Sequence, residues 1–150
     1  MTVQATLAIA PVAVPSPARE PFARGAVGGV RSVLRLEAAT VLGAALWGYS
    51  RFDLGWPMFA LLFLVPDLSM LGYLAGRRIG AASYNLAHSY ATPVILAAAA
   101  LGLHMPNLNT LALPALLIWV AHIAIDRLLG FGLKYFTAFG DTHLGRVGKA

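Results

Sequence analysis

Four stretches of apolar residues dominate the pattern of the sequence. They cover Val33–Ser50, Trp56–Gly76, Ala81–Leu103 and Thr110–Gly130. Each approaches the roughly 20 residues that a helix needs to cross a bilayer. The connectors between them are short, so consecutive helices become antiparallel neighbours. The pattern therefore predicts an all-α fold, a four-helix transmembrane bundle with up-down topology.

The two ends of the chain differ from this pattern. Residues 1–32 contain four prolines and no Lys or Arg before Arg19, so they fit neither a membrane span nor a secretory signal. We predict a flexible N-terminal tail over 1–32 and a four-span membrane domain over 33–150. The chain after the fourth span mixes aromatic residues with glycine and Lys134. That mixture is typical of an interfacial segment lying on a membrane leaflet.

Composition and charge support a membrane protein and give it an orientation. Hydrophobic residues make up 59% of the chain and charged residues only 11%, against about 25% charged in soluble domains. Ten of the eleven Lys and Arg residues fall on one side of the predicted bundle, and only Arg51 lies on the other. The positive-inside rule then places both termini in the cytoplasm, in the bacterial inner membrane. The lipid bilayer is the expected partner, and the basic balance does not indicate nucleic acid.

Ionisable residues inside the predicted spans share one depth. Asp67, His88 and His122 each lie eight residues from the cytoplasmic end of their span, which is about 12 Å at the rise of an α-helix. Asp126 is one turn nearer that end, and Glu37 lies near the inner end of span one. Ionisable groups in hydrocarbon are rare without partners. We therefore predict a polar layer in the cytoplasmic half of the bundle.

Four interpretations of this layer remain open. It is a structural network that fixes helix packing, a metal site, a proton or solute relay, or a haem site between His88 and His122. In the metal interpretation Asp67, His88, His122 and Asp126 are the ligands of a divalent Zn, Mn or Fe ion. Tyr84 and Asn85 share the face of His88 and would support it. The chain has no cysteine, which excludes thiolate ligands.

The motif "GDTHLG" in the C-terminal segment supplies two further candidates. Its flanking glycines permit a turn that presents Asp141 and His143 on the side of the polar layer. In one interpretation the motif is a solvated loop end. In the other, Asp141 and His143 fold back over the layer and act as catalytic residues, one as a general base or a mobile ligand.

The motifs together resemble one family. The chain resembles the bacterial integral membrane family called domain of unknown function 4260 over about residues 33–148, through "LRLEAA", "FLVPDLSMLGYLAG", "YNLAHSYATP", "WVAHIAIDRLLGFGLKY" and "FGDTHLG". The resemblance implies a four-helix membrane protein and no particular activity.

A looser similarity concerns the ligand candidates alone. The order of Asp67, His88, His122 and Asp126 is similar to that in membrane-bound metal-dependent hydrolases of the type induced by DNA damage. By this analogy the chain would be a metal-dependent hydrolase acting at the cytoplasmic leaflet. The alternative is a small non-enzymatic membrane protein, a structural or partner subunit, so the sequence leaves open whether the protein is an enzyme.

Overall fold

The computed structural model describes residues 25–104 and 108–147, and it is mostly helical. Within these residues five α-helices follow one another as α1 Gly28–Tyr49, α2 Trp56–Phe63, α3 Arg77–Ala87, α4 Ala91–Gly102 and α5 Leu113–Leu129. A 3-10 helix, Val65–Ala75, continues α2, and a π-helical turn, Leu108–Ala112, leads into α5. The strands β1 Asp141–Thr142 and β2 Gly145–Arg146 pair antiparallel. The predicted helical fold is confirmed.

The structure describes only the last residues of the predicted N-terminal tail. Residues 1–24, most of that tail, lie outside the described residues. Helix α1 begins at Gly28, ahead of the predicted boundary at residue 33. The amide of Ala26 donates to the carbonyl of His143 over 2.8 Å. The residues just before α1 therefore contact the C-terminal hairpin.

Prolines determine where the apolar stretches change geometry. Proline has no N–H, and its ring clashes with the carbonyl four residues earlier. Pro66 thus marks the change from α2 to the 3-10 helix, and Pro93 allows no continuous helix through residues 88–90. The predicted third span is consequently two helices, α3 and α4. Gly76, with φ of 112°, provides the left-handed turn into α3.

Helix α5 occupies the centre of the packing. Helix α1 lies along it, and α2 and α4 contact it as well. Ile118, Ala121 and Ala124 of α5 are completely buried. The 3-10 helix packs mainly against α3, where a Cβ atom at Gly80 would collide with the ring of Tyr73. These contacts hold the 3-10 helix, α3 and α5 close to one another.

Among the residues that the structure describes, two helical segments are long and apolar enough to cross a membrane. Trp56–Ala75 and Thr110–Leu129 each have 20 residues, with mean hydropathies of 1.8 and 1.7. Only 6% of the first is buried inside the protein, and Leu74 within it is 87% exposed. Helix α4 is apolar but has 12 residues. So much exposed apolar surface is typical of a protein that meets lipid or a partner.

The segment after α5 forms a folded cap. Lys134 pairs with Thr142 in an isolated antiparallel bridge, and the amide of His143 donates to the carbonyl of Leu133 over 3.1 Å. Leu144 at the hairpin turn is 1% exposed, whereas Phe136 is 58% exposed. The cap covers one end of α1 and α5. Its predicted location at a membrane interface stays a prediction.

Candidate metal centre

Three of the predicted ligands converge on one point. Asp67 comes from the first turn of the 3-10 helix, His88 from the end of α3 and His122 from the middle of α5. Their ligand atoms all lie within 4.8 Å of one another. The two Nε2 atoms are 3.1 Å apart. Asp67 Oδ1 is 3.5 Å from Nε2 of His88 and 3.6 Å from Nε2 of His122.

These separations match the spacing of ligands around a small cation. Ligand atoms about 2.0–2.2 Å from a tetrahedral zinc ion lie about 3.3–3.6 Å from each other. Both histidines are buried, but the side chain of Asp67 is 44% exposed. The cluster therefore has histidines held inside the protein and one edge at the molecular surface. An ion could bind there with little movement of the three side chains.

The tautomer of His88 is fixed by the backbone. Its Nδ1 lies 3.0 Å from the carbonyl oxygen of Tyr84. A carbonyl only accepts hydrogen bonds, so Nδ1 carries the proton and Nε2 presents a lone pair to the cluster. A backbone partner on the second ring nitrogen is the usual arrangement around histidine metal ligands. The orientation of His88 is thus one in which its Nε2 could hold a metal ion.

The helix break beside His88 provides further support for its position. Residues 88–90 are not helical, so carbonyls at the end of α3 lack intrahelical partners. Thr92 Oγ1 donates to the carbonyl of Leu86, and Trp119 Nε1 donates to that of Ala87 over 2.7 Å. The guanidinium of Arg127 donates to the carbonyl of His88 over 3.3 Å. Side chains of α4 and α5 therefore hold the end of α3 in place.

Asp126 lies at the edge of the cluster. Its Oδ2 is 3.6 Å from Nε2 of His88 and accepts a hydrogen bond from the Tyr84 hydroxyl over 3.1 Å. The ring of Tyr84 stacks on that of His88, with centroids 3.8 Å apart and an interplanar angle of 11°. Tyr84 therefore orients one ligand and one neighbouring carboxylate at once. The supporting role predicted for Tyr84 stays a prediction.

Lys134 is a residue that the sequence pattern did not identify as part of the site. It is 9% exposed, and its Nζ lies 3.4 Å from the ring centroid of Phe139 and 4.7 Å from that of Tyr84. Burial lowers the pKa of Lys134, and the carboxylate of Asp126 partly opposes that effect. Asn85 exchanges two hydrogen bonds with the Lys134 backbone, of 2.8 and 2.7 Å. An ammonium group is thereby held beside the tyrosine that touches the cluster.

The remaining candidates make their contacts outside the cluster. Asp141 accepts a hydrogen bond from Thr137 over 2.7 Å and lies 3.8 Å from Arg146. His143 contacts Arg127, which the sequence pattern used only as a charge, and Glu37 lines a separate cavity. The catalytic roles assigned to Asp141 and His143 stay predictions.

A comparison with models of protein families identifies the family of this chain. The family model described as Domain of unknown function (DUF4260) matches residues 31–147. The chain belongs to this family. Every residue of the Asp67–His88–His122 cluster lies inside the region matched by DUF4260. No curated protein and no solved structure matches the chain.

Proposed function

We propose that this DUF4260 chain is a multi-pass protein of the bacterial inner membrane with both termini in the cytoplasm. In this proposal α1, the α2–3-10 unit, the broken α3–α4 pair and α5 with its π-helical turn are four antiparallel spans. Two of these segments have the length and hydropathy of membrane spans. The distribution of Lys and Arg supplies the orientation. The exposed apolar side chains along the 3-10 helix support contact with lipid.

The function that the site supports best is metal-dependent hydrolysis near the cytoplasmic face. The observation that carries it is the convergence of Asp67, His88 and His122 within 4.8 Å, with the lone pair of His88 Nε2 directed into the cluster. Imidazole and carboxylate ligands suit zinc, manganese or iron. Such an ion supplies an activated water at neutral pH. The exposed edge at Asp67 gives a substrate access to it.

The neighbouring residues have definite roles in this proposal. Asp126 is either a fourth ligand or the base that orients the attacking water, because its Oδ2 lies at the cluster and is held by Tyr84. Lys134 adds a positive charge beside that pair, which favours a substrate that develops negative charge as it reacts.

A structural network is the second candidate, and one contact favours it. Without an ion, the Nε2 proton of His122 can be donated to the lone pair of His88 over 3.1 Å. Together with the bond from Tyr84 to Asp126, this would satisfy the polar layer and fix the packing of the helices. Nδ1 of His122 nevertheless stays buried without a hydrogen-bond partner in the described structure. That nitrogen would also lack a partner if Nε2 of His122 held a metal, so it does not separate the two candidates.

Elemental analysis of the detergent-purified protein separates the two functions. We expect about one zinc, manganese or iron per chain, lost in both His88→Ala and His122→Ala. His104→Asn is the matched control, because His104 is exposed and has a left-handed φ of 48° that asparagine tolerates. An absorption spectrum tests for haem. Metal-free wild-type protein, with the two variants only less stable, would reject the metal site in favour of the network.

Metal content does not test hydrolysis, so a cleavage assay is the second measurement. Purified wild-type protein should cleave at least one member of a panel of chromogenic phosphate and carboxylate esters in a chelator-sensitive manner. Asp67→Asn removes the ligand charge with little change of shape and should abolish that cleavage. Bound metal without chelator-sensitive cleavage of any ester would argue for a metal-stabilised structure instead of an enzyme.

A further inference from the structure

A second cavity lies between α1, α5 and the C-terminal hairpin, apart from the metal cluster. Its volume is about 310 Å³. Apolar side chains and a few charged or polar ones line it, among them Leu34, Glu37, Val41, Arg127, His143 and Leu144. Ligand sites commonly combine an apolar wall with a small number of polar groups in this way. The polar groups therefore indicate what the cavity binds.

The first indication is a conflict between donors at His143. Its Nδ1 is 2.8 Å from the amide nitrogen of Leu133, and its Nε2 is 2.8 Å from Nη1 of Arg127. Both neighbours are donors, but a neutral imidazole has one lone pair. The backbone amide cannot reorient, so Nδ1 accepts from it and the ring proton sits on Nε2. The Nε2–H group and the guanidinium are then two neighbouring donors on residues that line the cavity, and one acceptor oxygen within reach of both would satisfy them.

The second indication is the guanidinium of Arg127, which lies over the ring of Tyr90 but pairs with no carboxylate among the described residues. One Nη donates to the carbonyl of His88, and the buried Nε has no hydrogen-bond partner in the described structure. Within residues 25–104 and 108–147, Arg127 forms no ion pair with a carboxylate at 4.0 Å or less. A guanidinium in this state is suited to a phosphate, which it can bind through two parallel hydrogen bonds.

The third indication is Glu37, which lines the same cavity from α1. Its side chain is exposed, and among the described residues it too forms no ion pair. The cavity thus offers one unpaired cation and one unpaired anion more than 4.0 Å apart. A purely anionic ligand would be repelled by Glu37. A ligand with a phosphate at one end and an ammonium group at the other matches both charges.

We propose that this cavity binds the headgroup of an aminophospholipid such as phosphatidylethanolamine. The phosphate contacts Arg127 and the Nε2–H group of His143, and the ammonium group contacts Glu37. A volume of about 310 Å³ is at the small end of ligand sites, so it holds a headgroup and not two acyl chains. The chains would lie against exposed apolar residues of α1 such as Val33 and Leu36. This site does not depend on the metal proposal.

The test is native mass spectrometry of the detergent-solubilised full chain titrated with phosphatidylethanolamine or phosphatidylglycerol. Pairing of the extra ammonium group predicts about ten-fold tighter binding of phosphatidylethanolamine. Glu37→Gln should remove this preference, because the ammonium group of phosphatidylethanolamine then has no carboxylate to pair with. Arg127→Gln should weaken both lipids about ten-fold or more. Arg78→Gln and Asp53→Asn, exposed charges elsewhere, should behave as wild type.

The comparison of two lipids on wild-type protein needs no variant, so misfolding of Arg127→Gln leaves the test intact. Equal affinity for the two lipids would overturn the proposal, as would a preference that Glu37→Gln leaves unchanged. Free phosphoethanolamine should displace the lipid only at far higher concentration, because it lacks the chains. Displacement at equal concentration would show that the site takes a soluble ligand instead. Protein treated with a chelator should keep the same lipid preference, and this separates the outcome from that of the metal test.

Discussion

Asn85 connects α3 to the C-terminal segment through two hydrogen bonds, and the loss of stability on removing them can be calculated. Its side-chain amide donates to the carbonyl of Lys134 over 2.8 Å, and its carbonyl oxygen accepts from the amide of Lys134 over 2.7 Å. Asn85→Ala deletes both bonds and leaves two half-buried backbone groups without a partner. Each bond contributes about 1 kcal/mol net, and each group left without a partner costs about 1–2 kcal/mol, because water still reaches a half-buried group. We expect the docked C-terminal segment to lose about 2–4 kcal/mol.

Amide hydrogen exchange over residues 131–147 measures this loss directly. A change of 2–4 kcal/mol corresponds to an opening constant about 30- to 1,000-fold larger. Thr137→Ala is the control in the same segment, because it removes an exposed hydrogen bond to Asp141 and should change exchange less than ten-fold. Similar exchange in the two variants would refute the reasoning, since it would mean that Asn85 does not hold the segment.

Three further predictions follow from the site and the cap. Tyr84→Phe keeps the ring stacked on His88 but removes the hydroxyl bond to Asp126, so chelator competition should show metal affinity reduced about 10- to 100-fold. Burial and a nearby guanidinium lower the pKa of His143, so the unfolded chain binds more protons and thermal stability should fall as pH drops below about 6.5; His143→Gln should show a flatter profile. The chain contains no cysteine, so single-cysteine variants report on one position each. With both termini in the cytoplasm, a membrane-impermeant maleimide should label Ser50→Cys from outside intact cells and leave Thr137→Cys unlabelled.

Features of the fold that depend on local geometry could be predicted from the sequence. Counting residues from the ends of the spans places Asp67, His88 and His122 at one level, although Asp67 lies on a 3-10 helix, which rises about 2.0 Å per residue. The structure brings those three side chains together. Asp126, one helical turn from His122, also lies where the spacing puts it, beside the cluster. Position along the helices therefore carried the information that these four side chains lie close together.

Features that depend on how the chain returns after α5 could not be predicted in this way. Gly130 ends α5 with φ of 102°, and the following residues fold back against α3. This return buries Lys134 beside Tyr84 and places His143 on Arg127. The aromatic and glycine content of the segment is equally compatible with a helix or loop lying flat on a leaflet. Contacts between distant segments, and not local propensity, decided the position of these residues.

The break in the helix at residues 88–90 connects the two sites. In a continuous helix the carbonyls of residues 86–88 would accept the amides of residues 90–92. Pro93 prevents that continuation, so Trp119 and Arg127 of α5 can donate to the carbonyls of Ala87 and His88 instead. Those bonds fix α3 against α5 at the point where the two histidines meet. The same guanidinium lines the second cavity, so the break adjoins both the candidate ligand His88 and the cation that we propose binds phosphate.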